Sequence, residues 1–135
     1  MKIYVATTFE NKEKLLEIHK KIKEMGHEIA YDWTTHKPIK PYDKNKDLAI
    51  QYSSKDIEGV DNCDIFILIS NEKISPGMHT EFGAAIFSNM KYGKPLIYVV
   101  GEHTSNSIFY FHPSVKIVDS VDEVISEIGV NKEQI

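Results

Sequence analysis

Two carboxylates stand where the pattern of their neighbours asks for apolar side chains. Residues 46–62 have helical spacing, and within them and just beyond, Ala49, Tyr52, Asp56, Val60 and Cys63 fall along one stripe, so Asp56 is aligned with core positions. In the next helical stretch Glu81 lies one turn before Ala85, on the side that also carries Ala84 and Ser88. An ionised carboxylate buried without a partner costs several kcal/mol, so each acid needs a partner, a cavity or a ligand. Two such acids can divide a reaction between them, one giving up a proton and the other attacking or stabilising a positive centre. Structural readings stand beside this one. Glu81 near a helix start would complement the macrodipole, worth about 0.3 to 1 kcal/mol. Asp56 would point outwards if its helix were rotated by one residue, with Ile57 taking the inner face.

Other residues add to the pair. Tyr4 lies inside a strand-like run, and its hydroxyl needs a partner there, either a backbone carbonyl or a functional group. Ser75-Pro76-Gly77 reads as a turn feeding a helix: Ser caps, Pro suits the first helical position, and amides at such a start can hold a small anionic ligand. Trp33, beside Asp32 and Thr34, either stacks a planar base at the sheet rim or packs there. The six histidines, His19, His27, His36, His79, His103 and His112, show no metal-ligand spacing, and with one cysteine no metal site is expected. Cys63 reads as a small core residue. Neither GxxxxGK[ST] nor GxGxxG is present.

These residues must be placed by alternating strands and helices. Lys2–Ala6 (KIYVA) is a β-branched and aromatic run, followed by residues 11–25 with Leu15, Ile18, Ile22 and Met25 at helical spacing and Gly26 as a stop. Residues 28–33 (EIAYDW) read as a second strand, and 34–45 as a Pro-containing loop. A helix over 46–62 leads to the apolar strand 64–70 (DIFILIS). After a turn at 71–77, Phe82, Ala85, Ile86 and Met90 mark a helix stopped by Gly93, then come strand 95–100, a long loop, strand 115–119 and a helix over 121–128. Apolar strands joined by amphipathic helices call for a parallel sheet covered on both faces. The expected fold is α/β, a doubly wound five-stranded parallel sheet, flavodoxin-like or Rossmann-like, of order 2-1-3-4-5. Ligands in such sheets bind beyond the carboxyl ends of the strands at the switch between the first and third, here Thr7, Thr8 and Phe9 together with 70–81.

The chain has 135 residues, 41% hydrophobic and 27% charged, as expected of one globular domain spanning residues 1–135. Its formal net charge of -4 supplies no positive field to gather a nucleic-acid polymer. Apolar runs no longer than Ile65–Ile69 predict no membrane span. With a lone cysteine and no signal peptide ahead of the first strand, the cytoplasm is the expected compartment.

The order IYVA near the start, then SSKDIEGVDNCDIFILIS, SPGMHTEFGAAI and KPLIYVV, resembles the nucleoside 2-deoxyribosyltransferase family and its relatives that hydrolyse 2-deoxynucleoside 5-monophosphates. The resemblance runs from Lys2 to about Ser120. It implies that Glu81 is a nucleophile, that Asp56 is the acid that handles the base, and that Tyr4 orients the nucleophilic carboxylate. Asn106 is similar to the asparagine that in the transferases reaches the sugar of a neighbouring subunit's site. Thr7, Thr8, Phe9, Trp33, Ser75, Gly77 and His79 would line the substrate. His79 departs from the glycine frequent in close relatives. Ser75 matches the monophosphate hydrolases, whereas the first loop lacks the arginine they can offer a phosphate. The implied function is cleavage of the N-glycosidic bond of 2-deoxynucleosides with transfer of the deoxyribosyl group to another base through a covalent Glu81-sugar intermediate. The alternatives are hydrolysis of 2-deoxynucleoside 5-monophosphates and a non-catalytic nucleotide-binding module. The implied partner is a small-molecule nucleoside or nucleotide, with no cofactor. The exposed bulk of Ile108, Phe109, Tyr110 and Phe111 either tucks back onto the domain or forms a contact in a homo-oligomer.

Overall fold

The computed structural model describes residues 1–129. Its elements are β1 (Lys2–Ala6), α1 (Lys12–Glu24), β2 (Glu28–Ile29), α2 (Lys46–Asn62), β3 (Ile65–Ile69), α3 (Pro76–Tyr92), β4 (Leu96–Val100), β5 (Val115–Val118) and α4 (Val121–Ile128). The sheet is parallel throughout, in the order β2-β1-β3-β4-β5, as the alternation of elements predicts. The chain moves outward from β1 to β2, then reverses and proceeds to β3, β4 and β5. Right-handed crossovers therefore put α1 on one face and α2 and α3 together on the other. In register, Ala6 stands beside Leu68, so β1 and β3 end together at the point of reversal.

All five residues of β3 are buried, as a central parallel strand covered on both faces must be. Its residues share one core cluster with Ile3, Val5, Leu15, Ile22, Phe82, Val99 and Val124. Cys63 belongs to this core: its thiol donates to the Val60 carbonyl at 3.1 Å, and burial pushes its pKa up to about 12, which keeps it an inert thiol. α3 begins as its sequence suggests. The Ser75 hydroxyl accepts from the Met78 amide at 3.1 Å, Pro76 takes the first turn, and Gly93 ends the helix in the left-handed region with φ of 72°. No helix among the described residues is long and apolar enough to cross a membrane.

Two expectations require correction. The second strand is not 28–33 but Glu28–Ile29, because the Asp32 carboxylate captures the Thr34 amide at 3.0 Å and turns Trp33–Thr35 into a short 3-10 helix. The aromatic content of 31–33 reflects burial rather than sheet pairing. Met90, which fits the helical period, is 66% exposed, and with Phe87 it lies on the outer side of α3.

Candidate active site

Tyr4 sits in the middle of β1 with no exposed surface, and its ring stacks on Phe66 of β3 at 5.7 Å. It reaches toward α2 because Gly59 leaves room: a Cβ there would fall 2.9 Å from the tyrosine Cε2 and 2.7 Å from the Tyr31 Cβ. The partner its hydroxyl requires is Glu81, whose Oε2 accepts the phenolic proton. Glu81, in the second turn of α3, is 9% exposed. Burial pushes its pKa up to about 8, the Tyr4 hydrogen bond opposes the rise, and the charge of Asp56 adds to it. Burial beside Glu81 and Asp56 holds the Tyr4 phenol far above its ordinary range, so it remains a donor.

Asp56 lies on the inner side of α2, while Ile57 is 41% exposed, which excludes the helix rotated by one residue. Burial raises the Asp56 pKa to about 6. Its Oδ1 is buried without a hydrogen-bond partner. The remainder of the side chain carries the 26% exposure, so the other oxygen, Oδ2, opens outward. β1, α2 and α3 thus bring Tyr4, Asp56 and Glu81 into one electrostatically coupled group.

The pKa order taken alone would make Glu81 the acid and Asp56 the carboxylate. The hydrogen bonds argue the reverse assignment. A phenol donating to Glu81 favours its ionised form and fixes its direction, which suits a nucleophile. Asp56 has one oxygen open and no donor within bonding distance, which suits a proton carrier. A reaction would then run through the protonation state with Glu81 ionised and Asp56 protonated.

The other sequence-predicted residues divide into two groups. Thr7 is knitted into the crevice at the reversal: its hydroxyl accepts from Asn71 at 2.9 Å and from Asn11 at 3.3 Å, and Asn11 donates to the Asn71 side-chain oxygen at 2.5 Å. Asn106 joins them by donating to the Asn71 carbonyl at 2.9 Å. Thr8 is half-buried beside this network. His79 donates from Nδ1 to the Ser75 carbonyl at 3.3 Å and stacks on the buried Tyr110 at 5.5 Å, leaving Nε2 buried and unpartnered. Gly77, in the first turn of α3, is exposed. Trp33, by contrast, is 7% exposed and spends its indole N–H on the Val5 carbonyl at 2.9 Å, with Phe9 tilted against it. It forms a wall behind Phe9, which is itself 45% exposed.

Sequence reasoning missed Asn11 and Asn71, which carry no periodic signal, and a cluster beside Asp56. There the Tyr31 hydroxyl and His36 Nε2 lie 2.8 Å apart, and the His36 ring stacks on Tyr52 at 3.9 Å with the planes 5° apart. His36 Nε2 is 3.8 Å from Asp56 Oδ1. Tyr52 was visible as a member of the Asp56 stripe, but His36 lies in the loop between β2 and α2. A depression between α1 and α4, lined by Lys14, Lys21, His103 and Asp122, reaches the carboxyl ends of β3 and β4 at Asn71 and Gly101, and none of the three coupled residues lines it. Among the described residues no group of three or more His, Cys, Asp or Glu side chains could hold a metal ion.

No family model matches the sequence, and no curated protein matches it significantly. Among solved structures, the CMP N-glycosidase BcmB of Clostridium botulinum superposes with a TM-score of 0.58 over 95% of this chain and 97% of its own, at 19% identity. At that identity the likeness speaks for architecture alone: the chain shares the fold of that structure over the superposed residues.

Proposed function

We propose that this protein cleaves the N-glycosidic bond of a nucleoside 5-monophosphate, releasing the base and a sugar phosphate. The observation that carries the reading is the buried Tyr4-Glu81 hydrogen bond with Asp56 coupled to it. Breaking the bond between sugar and base develops oxocarbenium character at the anomeric carbon. Glu81 attacks that carbon, and the electron pair of the broken bond leaves with the base. Asp56 gives its proton to the departing base nitrogen. Water then hydrolyses the glycosyl ester, passing its proton to Asp56 and restoring Glu81. Tyr4 holds the attacking carboxylate in direction throughout.

Hydrolysis of a nucleotide is favoured over transfer to a second base by the likeness to a CMP N-glycosidase and by Ser75 at the cap of α3. The exposed Gly77 in that first turn and Thr8 across the crevice would face the phosphate, as amide and hydroxyl donors. The chain has no arginine, so no bidentate grip is offered. His79, Asn106 and Thr7 would border the sugar, and Phe9 would cover the base with Trp33 behind it. The exposed apolar side chains Ile108, Phe109, Phe111, Phe87 and Met90 support a homo-oligomer, which light scattering on the purified protein would detect as a mass above 15.5 kDa.

The test is incubation with ribo- and 2-deoxynucleoside monophosphates and with the matching nucleosides, each with and without a second free base. Released base and sugar phosphate from a monophosphate, lost in E81A, is the expected result. Exchange of bases without free sugar would reinstate transfer. Folded protein that turns over none of these substrates would remove the catalytic reading.

A further inference from the structure

The proposed reaction leaves Asp56 as a carboxylate whenever it has protonated a base, and its buried Oδ1 has no hydrogen-bond donor at rest. One group is poised to supply one. The His36 side chain is 12% exposed, in a pocket walled by the ring of Tyr52 and the hydroxyl of Tyr31. Burial lowers the His36 pKa, against the pull of Asp32, so the ring is neutral and holds one N–H. Two oxygens face Nε2, the Tyr31 hydroxyl at 2.8 Å and Asp56 Oδ1 at 3.8 Å, and Nδ1 has no hydrogen-bond partner among the described residues. The Tyr31 hydroxyl can accept as well as donate and an ionised Asp56 Oδ1 can only accept, so the arrangement accommodates the N–H on Nε2.

Resting on the glycosidase reading, we propose that His36 is a positioning residue for Asp56: its Nε2–H, held at rest by Tyr31, is shared with Asp56 Oδ1 as the carboxylate forms. A donor opposite Oδ1 makes that oxygen the acceptor and keeps the proton of the acid form on Oδ2, the oxygen that opens outward. The movement needed is small, closing 3.8 Å to hydrogen-bond distance, and it strengthens as negative charge appears. The other groups facing Asp56 are Tyr4 from β1, Glu81 from α3 and Tyr31, which also holds His36. Burial keeps Tyr4 and Tyr31 as neutral phenols, and Glu81 opposes ionisation of Asp56 once it is itself ionised. His36 is thus the group that favours it.

The test is nuclear magnetic resonance of the intact protein, reading the His36 ring nitrogens and the titration of the Asp56 carboxyl carbon in parent, H36F, H36Q and Y31F. H36F keeps a ring against Tyr52 and removes the donor, so the Asp56 midpoint should rise by about one unit. H36Q, which restores a donor near the Nε2 position, should bring it back. Y31F removes the competing acceptor and should lower it. In kinetics H36F should lose about tenfold in kcat/KM on the acid side of the profile and little at pH 8, where Asp56 is a carboxylate both in the ligand-free protein and after the transfer, so that the help from His36 cancels. A variant that was damaged only structurally would lose rate at every pH. A proton found on Nδ1, an Asp56 midpoint unmoved by H36F, or H36Q behaving as H36F would overturn the assignment. Should the parent turn over no nucleotide, the glycosidase reading fails, while the titrations still decide whether His36 acts on Asp56.

Discussion

The two acids have distinct environments, and their titration should be readable in the rate. With Asp56 near 6 and Glu81 near 8, the pair sheds its first proton from Asp56 and its second from Glu81. The reactive form has the opposite distribution and makes up roughly one hundredth of the ligand-free protein between those values. kcat/KM should then describe a bell with limbs at about 6 and about 8, belonging to the pair rather than to either residue. Y4F separates the roles. The Tyr4 hydroxyl lowers Glu81 by hydrogen bonding, so its loss should raise Glu81 further, move the alkaline limb upward and reduce the maximum by about tenfold or more. Rates of parent and variant should converge at high pH, where both acids are ionised. An alkaline limb that stays at its parental position would show that Tyr4 does not act on Glu81.

Elements decide whether those side chains meet, and two glycines on the α2 and α3 face make this measurable. A methyl on Gly59 would fall on the Tyr31 Cβ, which cannot swing aside, and on the Tyr4 ring. G59A should therefore lose roughly 1 to 3 kcal/mol in urea unfolding despite the gain of about 1 kcal/mol in helix propensity, and lose turnover as Tyr4 is displaced. Gly83, on the same face but with nothing within 4 Å, should gain up to about 1 kcal/mol on mutation to alanine. Equal effects at both sites would mean that α2 does not press on Tyr4. The sheet order, the start of α3 and the inward stripe of Asp56 were legible in the sequence because each is written as a period or a cap. The short β2 was not, because Tyr31 and Trp33 carry strand propensity while Asp32 spends its side chain on a turn. His36 was invisible for a related reason: a loop has no period, so its proximity to Asp56 follows only from how residues 33–45 are folded back. The partner of Tyr4 lies 77 positions away and required the topology, not the local pattern.

For the molecule as a whole, a buried acid that must ionise to work is a strain on stability with a definite pH window. The unfolded chain releases the Glu81 proton near 4.5, whereas the folded protein holds it to about 8. Between those values the native state binds more protons, so the stability contributed by this group is intact below 4.5 and is lost as pH rises toward 8. Asp56 acts in the same direction over the narrower range from 3.8 to about 6. Replacing Glu81 by glutamine removes the group that resists burial while keeping an acceptor for the Tyr4 hydroxyl. E81Q should consequently melt close to the parent at pH 5 and on the order of 10 °C above it at pH 8.5, while abolishing turnover. Thermal denaturation of both proteins across that range measures the difference. A gap that is constant with pH would assign the gain to packing, and a gap that closes as pH rises would mean that Glu81 is held as a stabilised carboxylate. The predicted widening ties the cost of the buried acid to the ionisation that its proposed attack requires.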